Sequence, residues 1–193
     1  MAEGLFFLRL FLGVLLFAHG TQKLFGWFGG HGPEGTGGFF EQVGHRPGRQ
    51  MAILAGLSEA GGGTLLVLGL VTPLASAIAI GVMVTAAVSV HGSNGLWATN
   101  GGYELPLTNA VIAGALAFTG AGTFSFDHAI GLELHGWAWG IGAVALGLIG
   151  AGIQLARREN VLPETDEAAD AYPAETEQVD VPADPASQGA NRR

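Results

Sequence analysis

The sequence predicts an all-α integral membrane protein: a four-helix transmembrane bundle core, a fifth transmembrane helix and a disordered C-terminal tail. Hydrophobic residues make up 49% of the chain and charged residues only 12%, whereas soluble domains contain about 25% charged residues. The hydrophobic residues form five long runs that are apolar on all faces. A soluble helical bundle with a rich core is the alternative, but its helices would show one apolar stripe each.

Each of the five runs is interpreted as a membrane-spanning helix, which needs about 20 mostly apolar residues. The first carries Glu3 where a signal peptide would be basic, so we expect it to be retained. Pro106 suits the first turn of the fourth helix. The predicted helices cover, in order, residues 5–25, 51–71, 74–91, 105–120 and 137–155.

The connections between these helices differ in length. The turn at residues 69–73 is short and predicts an antiparallel hairpin of the second and third helices. Residues 26–50 form a long glycine-rich loop or re-entrant element, with a short amphipathic piece at 39–43. Residues 1–156 are therefore a transmembrane domain. Residues 157–193 are predicted to be a disordered tail, since nine acidic and two basic residues follow position 158.

Basic residues near the helix ends predict the orientation in the membrane. The half of the bundle away from the C-terminus contains only one basic residue, Arg9, whose long side chain is expected to snorkel outward. Because cytoplasmic loops are enriched in Lys and Arg, we expect the N-terminus outside and the C-terminus in the cytoplasm. The face that holds the C-terminus carries Lys23, Arg46, Arg49, Arg157 and Arg158.

Ionisable residues within membrane helices are costly, so they are candidates for function. Glu59 lies eight residues into its helix, about 12 Å deep. His19 and Lys23 share one face of the first helix at that depth. Two interpretations stay open: a polar pocket with Glu59 at its floor, or a structural ion pair of Glu59 with Lys23 or His19. The candidate ligand-binding residues are Glu59, His19, Lys23, His91, Trp97, Asn100, Glu104 and Asn109.

Several other classes of site and partner are not predicted. No two histidines have helical ligand spacing, so no metal site is expected. The absence of cysteine excludes disulfides, iron–sulfur clusters and thiol redox centres built by this chain alone. The sequence has no basic patch of the kind that binds nucleic acid, so nucleic acid is not predicted as a partner.

Small residues on two helices predict close helix packing. The glycines at 61–63 permit another helix to approach the second helix. On the fifth helix, Ala143, Gly147 and Ala151 form a small-residue face that suits internal packing or a homodimer. Trp137 and Trp139 are expected to anchor that helix at the membrane interface.

Four segments together resemble the DoxX family of small bacterial membrane proteins. Residues 8–25 contain its His-Gly and Lys-Leu pairs, and residues 57–63 read Leu-Ser-Glu-Ala-Gly-Gly-Gly. Residues 68–73 read Leu-Gly-Leu-Val-Thr-Pro, and residues 119–127 contain a Gly-x-Gly-x-x-Ser-x-Asp element. The resemblance covers about residues 5–130. It implies a four-helix core in a bacterial plasma membrane.

The same resemblance implies a role in membrane redox systems. Some relatives are associated with thiosulfate-to-quinone electron transfer, and others with complexes that link superoxide dismutase to thiol and sulfur metabolism, a response to oxidative stress. We therefore expect an accessory or scaffold subunit that is itself non-catalytic, with redox partner proteins and with quinone as the cofactor near Glu59. If catalytic, it would be an oxidoreductase component using quinone. The alternative is a binder or transporter of a small amphipathic molecule without electron transfer.

Overall fold

A computed structural model of the protein describes residues 2–159, and the elements in that part of the chain are all helical. The predicted all-α class is confirmed. The tail predicted to be disordered lies almost entirely outside the described residues. The helices are α1 Ala2–Phe25, α2 Gly32–Gln42, α3 Gly48–Leu68, α4 Thr72–Ala86, α5 Glu104–Thr119, α6 Phe126–Ala129 and α7 Trp137–Ala156.

Four helical segments within residues 2–159 are long and apolar enough to cross a membrane. They are Ala2–Phe25, Gly48–Leu68, Thr72–Asn94 and Trp137–Ala156. The third of these includes α4 and the turns that continue it. The protein is thus a multi-pass membrane protein. The remaining apolar helix, α5, has 16 residues, or about 24 Å at 1.5 Å per residue, against a hydrocarbon core of about 30 Å.

Glycines bring α1 and α3 together in antiparallel orientation. A methyl group on Gly13 would lie 2.8 Å from the Gly63 carbonyl oxygen, and one on Gly20 would lie 2.6 Å from that of Gly56. Side chains cannot be accommodated at such separations, so the two backbones touch. This confirms that the glycines of α3 permit close helix approach.

The second half of the bundle packs α4 against α5 and α7. Phe118 of α5 fills the space beside Gly140 of α7, while Gly147 faces Ala77 and Ile80 of α4. The small-residue face of α7 is therefore used internally, and a homodimer through α7 would need its other side. The central apolar core consists of Leu12, Leu16, Leu66, Ala75, Ala79, Ile80, Ala113 and Leu116.

Helix α2 is longer than the amphipathic piece predicted at residues 39–43. It begins at Gly32 with a proline in its first turn, although glycine lowers helix stability by about 1 kcal/mol per residue. Tertiary contact explains the difference. Gly37 is buried, and a methyl group there would lie 2.7 Å from the Arg49 backbone nitrogen. The glycines let α2 lie directly on the start of α3.

Candidate functional site: charged groups inside the bundle

An ion pair joins α1 and α3 within the membrane-spanning region. Lys23 Nζ lies 2.5 Å from Glu59 Oε2, and the two side chains are 20% and 5% exposed. The close backbone approach at Gly20 and Gly56 brings the two helices near enough for this bond. Glu59 therefore has the partner that a carboxylate at membrane depth requires.

His19 extends this pair toward the outside of the bundle. It lies one helical turn before Lys23 and is exposed, yet it is close enough to Glu59 to interact with its charge. The structure thus brings together three of the eight candidate residues predicted from the sequence. A carboxylate, an ammonium group and an imidazole can together donate, accept and exchange protons.

The other five candidates lie between the end of α4 and the first turns of α5. His91 Nδ1 lies 2.7 Å from the Gly101 carbonyl oxygen, and Glu104 Oε2 accepts a 2.9 Å hydrogen bond from the Ala98 backbone nitrogen. These bonds are made within the connecting loop and do not reach Glu59. By their hydrogen bonds, the candidates therefore fall into two groups. The remaining members of the loop group are Trp97, Asn100 and Asn109.

Asp127 forms a second buried network at the opposite end of the bundle. It is 3% exposed, and its carboxylate accepts hydrogen bonds from the backbone nitrogens of Val71 (2.7 Å) and Thr72 (3.1 Å) and from Thr72 Oγ1 (3.1 Å). Since α4 begins at Thr72, the negative charge stabilises the helix N-terminus. Val71 has a φ of 47°, a strained conformation for a β-branched residue. The hydrogen bonds from Val71 and Thr72 to Asp127 stabilise that turn.

Arg9 lies at the same end of the bundle. Its side chain is buried, so the expectation that it snorkels outward is wrong. It is 1% exposed and donates to the carbonyl oxygens of Leu66 (2.8 Å), Val67 (3.1 Å) and Phe124 (2.5 Å). Its charge also interacts with that of Asp127. The last carbonyls of α3 have no partner within their own helix. They draw the guanidinium inward because they offer it more hydrogen bonds than lipid does.

His45 was missed by the sequence reasoning. It lies in the loop before α3, is 8% exposed, and its Nε2 is 2.8 Å from Ser89 Oγ in the π-helical turn Ala87–His91 that follows α4. Burial lowers the pKa of His45, and the nearby Arg158 lowers it further. A lone histidine in a loop gives no periodic signal, so only the fold reveals this contact.

The end of α7 is fastened to that same loop. Arg158 Nε donates to the Val43 carbonyl oxygen at 2.7 Å, and the Glu159 backbone nitrogen donates to that of Gly44 at 2.9 Å. Arg46 also pairs with Glu159 at 3.2 Å. The first residues assigned to the tail are therefore attached to the helical domain. Within residues 2–159, no cluster of three or more His, Cys, Asp or Glu residues has a geometry that could hold a metal ion.

Comparison with known families finds a match in the N-terminal part of the chain. Residues 4–92, from α1 to the turns that follow α4, match the family model described as DoxX. This match supports membership of the DoxX family. No curated protein and no solved structure matches it in the corresponding comparisons. The Lys23–Glu59 pair lies wholly within the matched DoxX segment.

Helices α5 to α7 lie beyond that segment but are joined to it. Asp127 reaches back to the α3–α4 turn, and Phe124 accepts a hydrogen bond from Arg9 of α1. The Gly-x-Gly-x-x-Ser-x-Asp element therefore closes one end of the DoxX bundle. Its Asp127 caps the N-terminus of α4, and its Phe124 carbonyl oxygen accepts a hydrogen bond from Arg9.

Proposed function

We propose that this DoxX protein is a non-catalytic membrane subunit of a redox complex, and that Lys23, Glu59 and His19 bind the head group of a quinone. The observation that supports the proposal is an ion pair at membrane depth with a partly exposed ammonium group. A pair that only fixed helix register would work equally well if fully buried. Here Lys23 keeps a fifth of its side chain accessible, and His19 stands exposed beside it.

The donor set fits a quinone head group. Lys23 has three N–H donors, and its bond to Glu59 uses one of them. The imidazole of His19 supplies a second donor or acceptor from the same helix face. A quinone carries two carbonyl oxygens that accept hydrogen bonds, and it supplies reversible two-electron chemistry when bound. Glu59 would hold the ammonium group in place and lower the cost of burying it.

The electrons would come from a partner. The chain contains no cysteine, so it has no thiol centre of its own to pass electrons to a quinone. The proposal therefore assigns binding and positioning to this subunit and assigns electron supply to a partner redox protein in the bacterial plasma membrane.

We further propose that the Lys23–Glu59 end of the bundle faces the cytoplasm. The basic residues Lys23, Arg46, Arg49, Arg157 and Arg158 lie at this end. Two reporters can be fused after residue 165, one active only in the cytoplasm and one active only outside it. The cytoplasmic reporter alone should be active. Labelling of the same position from outside intact cells would contradict the orientation.

Quinone retention tests the binding proposal. The wild-type protein, extracted in mild detergent from quinone-containing membranes, should copurify with quinone detectable by mass spectrometry. Glu59→Gln, which keeps a hydrogen-bond acceptor for Lys23, should abolish retention while the protein remains folded. Glu34→Gln is a matched control, because Glu34 also forms a 2.5 Å ion pair, with Arg49, but both side chains are exposed. Retention by Glu59→Gln at the wild-type level would overturn the proposal.

A further inference from the structure

The α2–α3 loop holds the end of α7 on one of its sides. The Val43 carbonyl oxygen accepts a 2.7 Å hydrogen bond from Arg158 Nε, and the Gly44 carbonyl oxygen accepts a 2.9 Å hydrogen bond from the Glu159 backbone nitrogen. A methyl group on Gly44 would overlap the Glu159 carbonyl oxygen, so the two backbones touch. We refer to these two hydrogen bonds as the α7 clasp.

The same loop is fixed on its other side by a buried histidine. His45 follows Gly44 directly and is 8% exposed, and its Nε2 lies 2.8 Å from the Oγ of Ser89, which is also 8% exposed. Its ring packs against Phe40 with the ring centroids 6.1 Å apart, and its backbone nitrogen donates to the Phe40 carbonyl oxygen at 2.8 Å. Since the carbonyls of the α7 clasp belong to the two residues before His45, an outward movement of His45 displaces them.

A positive charge on His45 would have no counter-charge at this junction. Within residues 2–159, no carboxylate oxygen hydrogen-bonds to the imidazole. Glu41 accepts a hydrogen bond from the backbone nitrogen at the start of α3, and Glu159 pairs with Arg46. Burial lowers the pKa of His45, and Arg158 lowers it further. The remaining titratable side chains of the adjoining described turns carry no negative charge: Arg49, His91 and Arg157.

We propose that this junction is a proton-sensitive switch, in which protonation of His45 breaks its contact with Ser89 and opens the α7 clasp while the transmembrane bundle stays folded. A buried cation without a counter-charge is costly, so the protonated imidazole moves toward water. Residues 158 and 159 are exposed and can separate from the loop without uncovering the core. The rest of α7 stays packed, because Gly140 lies against α5 and Gly147 against α4. The switch does not depend on quinone binding.

Distances between spin labels test the switch in the full protein, which has no native cysteine to remove. One pair, Gln42→Cys/Arg157→Cys, spans the α7 clasp at exposed positions. A reference pair, Gly61→Cys/Gly142→Cys, joins α3 and α7 at positions where an added side chain meets nothing within 4 Å. In nanodiscs, electron paramagnetic resonance should show a short distance across the clasp at neutral pH. This distance should lengthen and broaden as the pH falls below about 6.5, the ordinary histidine value, while the reference distance stays constant.

Histidine variants show whether His45 is the group that responds. His45→Gln keeps a neutral hydrogen-bonding side chain and should hold the short distance at both neutral and acidic pH. His31→Gln, at an exposed position, should open as the wild type does. Ser89→Ala removes the hydroxyl that binds the imidazole and should shift the opening to higher pH, which gives a second test if His45→Gln does not fold.

Three results would contradict the switch. The first is a clasp distance in the wild type that does not change with pH. The second is an acid-induced opening that persists in His45→Gln or is unmoved by Ser89→Ala. The third is a simultaneous change in both label pairs, which would mean that acid unfolds the bundle as a whole rather than opening the α7 clasp.

Discussion

The two ends of the bundle both bury charged residues, but they satisfy them in different ways. At the α3–α4 turn, Arg9 and Asp127 bond mainly to backbone carbonyl and N–H groups. At the other end, Lys23 and Glu59 bond to each other through side chains only. Backbone partners cannot leave without unfolding, whereas a side-chain partner can exchange. The comparison indicates a structural network at one end and an adaptable site at the other.

The largest effect is expected at the structural end. Asp127→Ala removes the partner of the Val71 and Thr72 nitrogens and leaves Arg9 without its counter-charge. Breaking such a buried arrangement costs about 3–5 kcal/mol. The free energy of unfolding, measured by SDS titration, should fall by that amount. Glu133→Gln, an exposed change in the same connection, is the control. A loss below about 1 kcal/mol would contradict the assignment.

The contact between α1 and α3 predicts an intermediate effect. Gly20→Ala forces a methyl group against the Gly56 carbonyl oxygen and should destabilise the protein by about 1–3 kcal/mol. It should also weaken the Lys23–Glu59 pair, since the helices must separate. Gly61→Ala meets nothing within 4 Å and should be neutral or slightly stabilising. The same unfolding measurement compares the two variants, and equal effects would argue against close backbone packing.

These two regions also show what sequence reasoning could reach. The helices, their order and the pairing of Glu59 follow from apolar runs and from the cost of an isolated charge in lipid. The inward turn of Arg9 does not, because its partners are carbonyls at 66, 67 and 124, which only tertiary structure assembles. The hydrogen bonds of the loop group around His91 could not be predicted from the sequence for a similar reason. The depth of a residue along a membrane helix can be predicted from the sequence, but the neighbouring segment that its side chain faces cannot.

The smallest expected effect is a pH dependence at His45. Its folded pKa is lowered, so below the unfolded value of about 6.5 the unfolded chain binds more protons than the native protein. The stabilisation is complete above that pH and is lost as pH falls toward the folded pKa. Positively charged His45 would face Arg158. The unfolding midpoint should therefore drop between pH 7.5 and 5.5.

Two variants isolate this contribution. His45→Gln should flatten the pH dependence of the unfolding midpoint, whereas His31→Gln, at an exposed position, should leave it as in the wild type. An unchanged slope in His45→Gln would mean that other groups cause the dependence. The contact between the α2–α3 loop and the end of α4 would then contribute little to stability near neutral pH.

Exchange of the two charges in Lys23→Glu/Glu59→Lys tests the central claim most directly. The double variant restores an ion pair between α1 and α3 but moves the ammonium group from α1 to α3, away from His19. We predict that its free energy of unfolding returns to within about 1 kcal/mol of the wild-type value, above that of either single variant, while quinone retention stays lost. Retention at the wild-type level in this double variant would contradict the account, since any ion pair joining the helices would then be sufficient.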